Sequence, residues 1–270
     1  MRDLLRTPQG AIGLTIIALT LLIAAAGPTL APFSPETMNV RLRFAGPGPI
    51  HWLGTDQFGR DILSRVLDGA RLTLTLALGA TALGSAIGIA IGTSAAFLGG
   101  WLDEALMRAV DVMMAVPHLL FVLLIVTVLG GSSLNALLAV GIAFAPGMAR
   151  VARATALTIR RQDYVAASIA RGETPAYTVF REMLPNVVGP IIVEATIRVA
   201  FAIMALATLS FLGLGAQPPS SEWGLMVAEA RPYLFRNPWI MIAPGLAIAA
   251  IAMAFNLLGD GLRDSLNPRK

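Results

Sequence analysis

The stretch LTLTLALGATALGSAIGIAIGTSAAFLGGWL, residues 72–102, passes through thirty-one positions without one charged side chain. A bilayer with a hydrocarbon core about 30 Å thick needs roughly 20 apolar helical residues to cross it, so this stretch predicts a membrane span. It is laced with small residues. Gly79 and Ala80 precede Gly84, Gly88 and Gly92, and the last three fall on one helical stripe where another helix can approach closely. Two roles are open for that stripe: packing within the chain, or facing a partner subunit across a transport path.

Five more apolar stretches extend the pattern. No charge occurs between Arg6 and Glu36, and residues 11–30 supply the first span. A cleaved signal peptide also starts with basic residues, and Ala24-Ala25-Ala26-Gly27 fits its small-residue end, but its apolar region is only about 7–15 residues long. The charge-free residues 112–148 are divided by Gly130-Gly131-Ser132-Ser133 into two spans joined by a tight turn, and Pro117 permits a bend in the first. The fifth span covers residues 187–215 and the sixth residues 238–258. The fold class is therefore an all-α polytopic membrane protein with six spans. Composition agrees: 56% of the 270 residues are hydrophobic, 13% are charged, and the mean hydropathy is +0.73.

An even number of spans puts both termini on one side. If that side is the cytoplasm, the inner segments hold Arg2, Arg6, Arg108, Arg150, Arg153, Arg160, Arg161, Arg171, Arg181, Arg263, Arg269 and Lys270, twelve basic residues against seven outside. Basic residues favour the cytoplasmic side, so both termini are expected there. Residues 1–71 then form a tip, the first span and an outer loop. Residues 72–270 form a five-span core whose cytoplasmic loop is 149–186.

Several function classes are excluded. The net charge of +4 lies in segments between spans with no aromatic stacking platform, which argues against nucleic acid. Cysteine is absent, and His51 and His118 lie far apart, so no metal site is readable. There is no G-x-x-x-x-G-K-[ST] loop to cradle nucleotide phosphates, and no catalytic constellation in the spans, so the chain is expected to be no enzyme and to bind no cofactor itself. No internal repeat is visible, which disfavours a secondary transporter.

The cytoplasmic loop reads as two helices. Gly172 fits a helix C-terminal cap, and Thr174 before Pro175 fits an N-cap followed by the first helical position. On this knuckle Val165, Ile169, Tyr177, Val179, Phe180 and Met183 can supply apolar contacts, while Arg160, Arg161, Arg171 and Arg181 supply charge. It is either a docking surface or a solvated basic loop that anchors topology. Outside, residues 51–71 read as a turn followed by an amphipathic helix capped by Thr55 or Asp56, with Phe58, Ile62, Val66 and Ala70 on one face, lying along the outer surface. That helix can be a packing element or a contact for substrate or a delivery protein. In span five Glu194 and Arg198 are four residues apart and are expected to pair, serving either stability and subunit contact or the lining of a path.

These words together resemble a known family. Ala166-Ala167-Ser168, then Gly172, then Glu182-Met183-Leu184-Pro185 is similar in spacing to the EAA loop of bacterial ATP-binding-cassette importer permeases, and Asp163-Tyr164-Val165 matches the Glu-Tyr-Val of their peptide and nickel branch. Gly54-Thr55-Asp56, Gly59-Arg60-Asp61 resembles the LGTD-x-x-GRD element of the second permease subunit of dipeptide, oligopeptide and nickel importers. Residues 111–117, 209–224 and 254–264 match further words of that branch, so the resemblance covers nearly the whole chain. It implies a type I permease fold and half of a translocation path for peptides, with nickel chelates or glutathione-like solutes as alternatives and a secondary transporter as a remoter one. It implies a homologous second permease, two ATPase subunits that use ATP and Mg, and an extracytoplasmic solute-binding protein, in a bacterial inner membrane. It also assigns ATPase coupling to Asp163, Tyr164, Ala166, Ala167, Gly172, Glu173, Thr174, Tyr177, Phe180, Arg181, Leu184 and Pro185. Two residues depart from the family pattern: Ala166 stands where many members have glutamate, and Glu182 where isoleucine or histidine is usual.

Overall fold

The computed structural model describes residues 7–265. Expectations that rest on Arg2, Arg6, Arg269 and Lys270 lie outside the described residues. The helices are α1 (Pro8–Leu30), α2 (Ile62–Leu98), α3 (Gly100–Ala115), α4 (His118–Leu129), α5 (Ser133–Arg160), α6 (Asp163–Ala170), α7 (Pro175–Tyr177), α8 (Leu184–Phe211), α9 (Trp223–Ala230) and α10 (Trp239–Ser265). A π-helical turn, Thr178–Met183, joins α7 to α8 without a break. Among the described residues five helical segments are long and apolar enough to cross a membrane. The pair α3 and α4, bent by 92°, makes a sixth if it is taken as one broken span.

The break in that pair falls at Val116-Pro117. Proline lacks the N–H that would continue the ladder and pushes the preceding residue out of the helical region, as the extended ψ of 129° at Val116 shows. The first half of the stretch 112–148 is therefore not one straight span: residues 112–115 finish α3, which ends at Ala115, and α4 begins afresh at His118. At the other boundary α5 runs past Met148 to Arg160, and two of its arginines pair with acids of α3. Arg150 Nη2 lies 2.7 Å from Asp111 Oδ1, and Arg153 grips Asp103 through two bonds of 2.6 Å. Charge ended the span in the hydropathy reading but did not end the helix.

Helix α2 has 37 residues, about 55 Å, nearly twice the hydrocarbon thickness. The separate amphipathic helix expected on the outer surface does not form. The helix starts at Ile62 and continues unbroken into the span, crossing the 71/72 division, and its cap is Asp61 rather than Thr55 or Asp56. Asp61 Oδ2 accepts from Ser64 N and Oγ at 2.8 and 2.7 Å, while Phe58 lies before the helix.

The glycine stripe of α2 packs inside the chain. A Cβ on Gly84 would fall 2.7 Å from the Gly141 carbonyl oxygen, and on Gly88 or Gly92 it would overlap Met148 or Ala149 of α5. The role of facing a partner subunit is thereby overturned for these three residues: α5 occupies the place that a partner would need. Around this contact Leu74, Ala77, Ala80, Val140, Ile203 and Ile251 form the main core. Helix α1 packs on the outside of this core, with Gly13 against the backbone of α10 and Gly27 against Leu67. The segments 31–61 and 212–238 interlock at one end of the bundle, called the outer end. The opposite, inner end carries α3, α6 and α7.

Candidate functional site

The inner end is built around the turn between α6 and α7. Gly172 has φ +77°, its N–H donates to the Ile169 carbonyl and Glu173 N donates to Ser168 O, which together terminate α6. Thr174 then caps α7, accepting from Tyr177 N at 3.2 Å. The two arms are pinned to each other by the hydroxyls of Ser168 and Thr178, both fully buried and 3.1 Å apart. Pro185 cannot donate into the ladder, and just ahead of it the backbone widens into the π turn, where Leu184 N reaches Val179 O.

This knuckle has two different faces. Val165 and Met183 are fully buried against Met148, Ala152, Ala156 and Val187, so they fix the knuckle to the ends of α5 and α8 and are unavailable for docking. Arg160 adds a third anchor by donating to the Ala96 carbonyl at the end of α2, 2.8 Å away. On the outside, Ile169 is 50% and Phe180 66% exposed, and Tyr164 and Tyr177 are exposed beside them. Asp163, Ala166, Ala167, Gly172, Thr174, Arg181 and Pro185 are exposed too, while Glu173 and Leu184 are partly buried. Glu182 meets Arg171 at 3.7 Å, and Arg171 meets Glu173 at the same distance, so this unusual glutamate ties the two arms together.

Midway along α8 the expected pair forms: Arg198 Nη2 lies 2.8 Å from Glu194 Oε1. Both line a groove of about 400 Å³ together with His118, Phe144, Phe201 and Met204. A second cavity of about 210 Å³, between Pro117, Ala143, Pro146 and Gly147, touches His118 and Arg198 from the other side. The guanidinium sits over the Phe144 ring, 5.4 Å from its centroid, and the His118 ring stacks on the same phenylalanine at 5.0 Å. Gly147 leaves the space this requires, since a Cβ there would meet Arg198 Nη2 at 2.5 Å.

At the outer end the LGTDQFGRD segment is interior structure. Asp56 Oδ2 pairs with Arg60 Nε at 2.6 Å and Arg65 Nη1 at 3.5 Å, and both guanidinium groups reach Glu229 of α9, at 3.3 and 3.6 Å. Burial holds the Glu229 carboxyl above the usual glutamate range despite Arg60 beside it. Thr55 Oγ1 donates to the Leu42 carbonyl and accepts from Ala45 N, while Asn237 Nδ2 bridges the carbonyls of Ala45 and Thr55 at 3.1 Å each. Gly54 and Gly59 turn with positive φ against Ala45 and Asn39, where no side chain fits. Thr55, Asp56, Arg60 and Asp61 are all buried, so these four side chains pack within the chain, while Phe58 of the same segment and Trp52 just before it stay exposed.

Residues 84–270 match the family model described as binding-protein-dependent transport system inner membrane component. The chain belongs to that family. This inner-membrane transport component is 38% identical over 268 residues to the dipeptide transport system permease protein DppC of Alkalihalophilus pseudofirmus, covering 99% of this chain and 88% of the relative. It is 39% identical over 264 residues to DppC of Haemophilus influenzae, covering 96% and 90%. To the glutathione transport system permease protein GsiD of Pectobacterium atrosepticum it is 41% identical over 224 residues, covering 83% and 74%. Among solved structures its fold is similar to a chain of the MetNI methionine ABC transporter in inward-facing conformations. The TM-score is 0.60 with 19% identity, over 75% of this chain and 97% of that one. It is a multi-pass transport permease subunit.

In this transport component the sequence located the knuckle and the Glu194–Arg198 pair, but it missed the groups that complete each site. His118, which the sequence offered only as an isolated histidine, stands beside Arg198 between the two cavities. An ionisable residue within a predicted span was the available signal. Glu229 carried none: its partners Arg60 and Arg65 lie more than 160 residues earlier in the chain.

Proposed function

We propose that this chain is one of two homologous permease subunits of an ATP-driven importer of di- and oligopeptides, and that its knuckle is the surface on which a cytoplasmic ATPase subunit docks. The observation that carries the substrate is the length of the likeness: 99% of the chain aligns with a permease named for dipeptides. The glutathione permease relative favours one further reading, a glutathione-like solute, itself a small peptide. Both termini then lie in the cytoplasm of a bacterium, and two ATPase subunits use ATP and Mg while a solute-binding protein delivers cargo at the outer end.

The coupling role rests on the two-faced knuckle. An exposed face carrying Tyr164, Ile169, Tyr177 and Phe180 suits a partner that buries aromatic and aliphatic anchors. The opposite face is locked to α5 and α8 through Val165 and Met183, and Arg160 adds α2. Displacement of the knuckle by closing ATPases would therefore move three spans together, swinging the groove beside α8 between inward-open and outward-open access. The test is ATP-dependent uptake of a labelled dipeptide by proteoliposomes holding the whole complex, comparing wild type with Gly172→Pro. Position 172 needs φ +77°, and proline locks φ near −65°. Uptake and ATPase association are expected to fall together. Wild-type uptake in the variant places the coupling elsewhere.

A further inference from the structure

The Glu194–Arg198 pair does not do what a structural ion pair does. Both residues sit on α8 one turn apart, so the ion pair itself joins no two helices, and Arg198 meets α5 by stacking on Phe144 and packing over Gly147. A pair at this spacing contributes about 0.3–0.5 kcal/mol at a surface, too little to explain placing two charges within a membrane-spanning helix. Arg198 is also under-satisfied. Its Nε is buried without a hydrogen-bond partner, so the guanidinium has more donor capacity than Glu194 uses. The two charges keep 31% and 19% of their side-chain surface and open into the groove.

The other walls of that groove say what such a site can read. Ile197, Phe201, Met204 and Ala205 are apolar, and methionine adapts to irregular shapes. Peptides differ in their side chains but share one ammonium, one carboxylate and the amides between them. A wall that accepts varied side chains can hold the shared ends through fixed charges of opposite sign. In a dipeptide those ends lie roughly 5–6 Å apart, so the side chains must part from their present 2.8 Å contact to receive them.

We propose that Glu194 and Arg198 form an exchangeable pair that reads the zwitterionic backbone of a short peptide in transit: the substrate carboxylate replaces Glu194 on the Arg198 fork, and the substrate ammonium passes to Glu194. In the resting state each charge neutralises the other, which keeps the groove from holding inorganic ions. With cargo present the opposite charges remain matched throughout, so no bare ion is left in the membrane. His118, stacked on the same Phe144, borders both cavities at the point where the carboxylate would move from one to the other. This inference rests on peptide being the cargo.

The experiment uses the reconstituted importer with saturating solute-binding protein. The protein is preloaded to equal, measured occupancy with a free dipeptide, its C-terminal amide or its N-acetyl derivative, so that passage and not delivery is compared. In wild type the two blocked peptides are expected to pass about tenfold more slowly than the free one, the size of one lost charge-assisted hydrogen bond. Arg198→Gln should close the gap between free and amidated peptide, and Glu194→Gln the gap between free and N-acetylated peptide. Arg198→Lys, which keeps the charge, should retain part of the discrimination and serves if the glutamine variant does not assemble. Equal passage of all three peptides by wild type overturns the proposal without any variant. If wild type imports no peptide at all but takes up another solute, the peptide reading itself fails and the inference falls with it.

Discussion

The hydroxyls of Ser168 and Thr178 lie 3.1 Å apart with no exposure to solvent, joining the two arms of the inner knuckle across its glycine turn. A buried hydroxyl left without a partner costs about 1–3 kcal/mol, so Ser168→Ala strands Thr178 and should loosen the turn. The expected result is a complex that still assembles but hydrolyses more ATP per solute moved. An unchanged ratio would mean that the knuckle does not need this pin to transmit force.

Four exposed side chains are assigned to docking, and two of them can be removed without touching the core. Ile169→Ser and Phe180→Ser change residues whose surfaces face away from Val165 and Met183. Each should weaken retention of the ATPase subunits at least tenfold, since a buried anchor at an interface is worth about 2 kcal/mol or more. The melting temperature of the isolated permease should not move. A shift in melting with normal retention would assign these residues to the fold instead.

The close contact of α2 with α5 makes a steric prediction. Gly92→Leu drives a side chain into the Ala149 and Arg153 backbone and should abolish stable protein in a detergent thermal-unfolding assay. Gly245→Ala, in a helix where nothing lies within 4 Å of the new Cβ, should leave stability unchanged or raise it by up to about 1 kcal/mol.

The buried cluster at the outer end responds unequally to neutralisation. Asp56→Asn removes the carboxylate that pairs with both Arg60 and Arg65 and should cost about 3–5 kcal/mol. Glu229→Gln should be far milder. Because burial raises the Glu229 pKa, its contribution is fully present below the ordinary glutamate pKa and is lost as pH rises through the raised value. Wild type should therefore gain melting temperature relative to Glu229→Gln as pH is lowered through that window. A difference that is flat or reversed would contradict the role given to burial.

Hydropathy and local backbone chemistry determined much of this protein in the sequence alone. Uncharged runs gave the spans, Gly172 and Thr174 marked the turn of the knuckle, Pro117 marked the bend before α4, and a four-residue spacing paired Glu194 with Arg198, because each of these depends on neighbours within one or two turns. Tertiary structure decided what happens when distant segments meet. It placed Arg60 and Arg65 inside against Glu229, turned Val165 and Met183 inward while leaving Phe180 out, gave the glycine stripe of α2 to α5, and set His118 beside Arg198. A charged or apolar residue has the same local propensity whether it ends up in a core, at an interface or in a groove. Which of these it occupies is fixed by packing and by the partner charges that other segments bring.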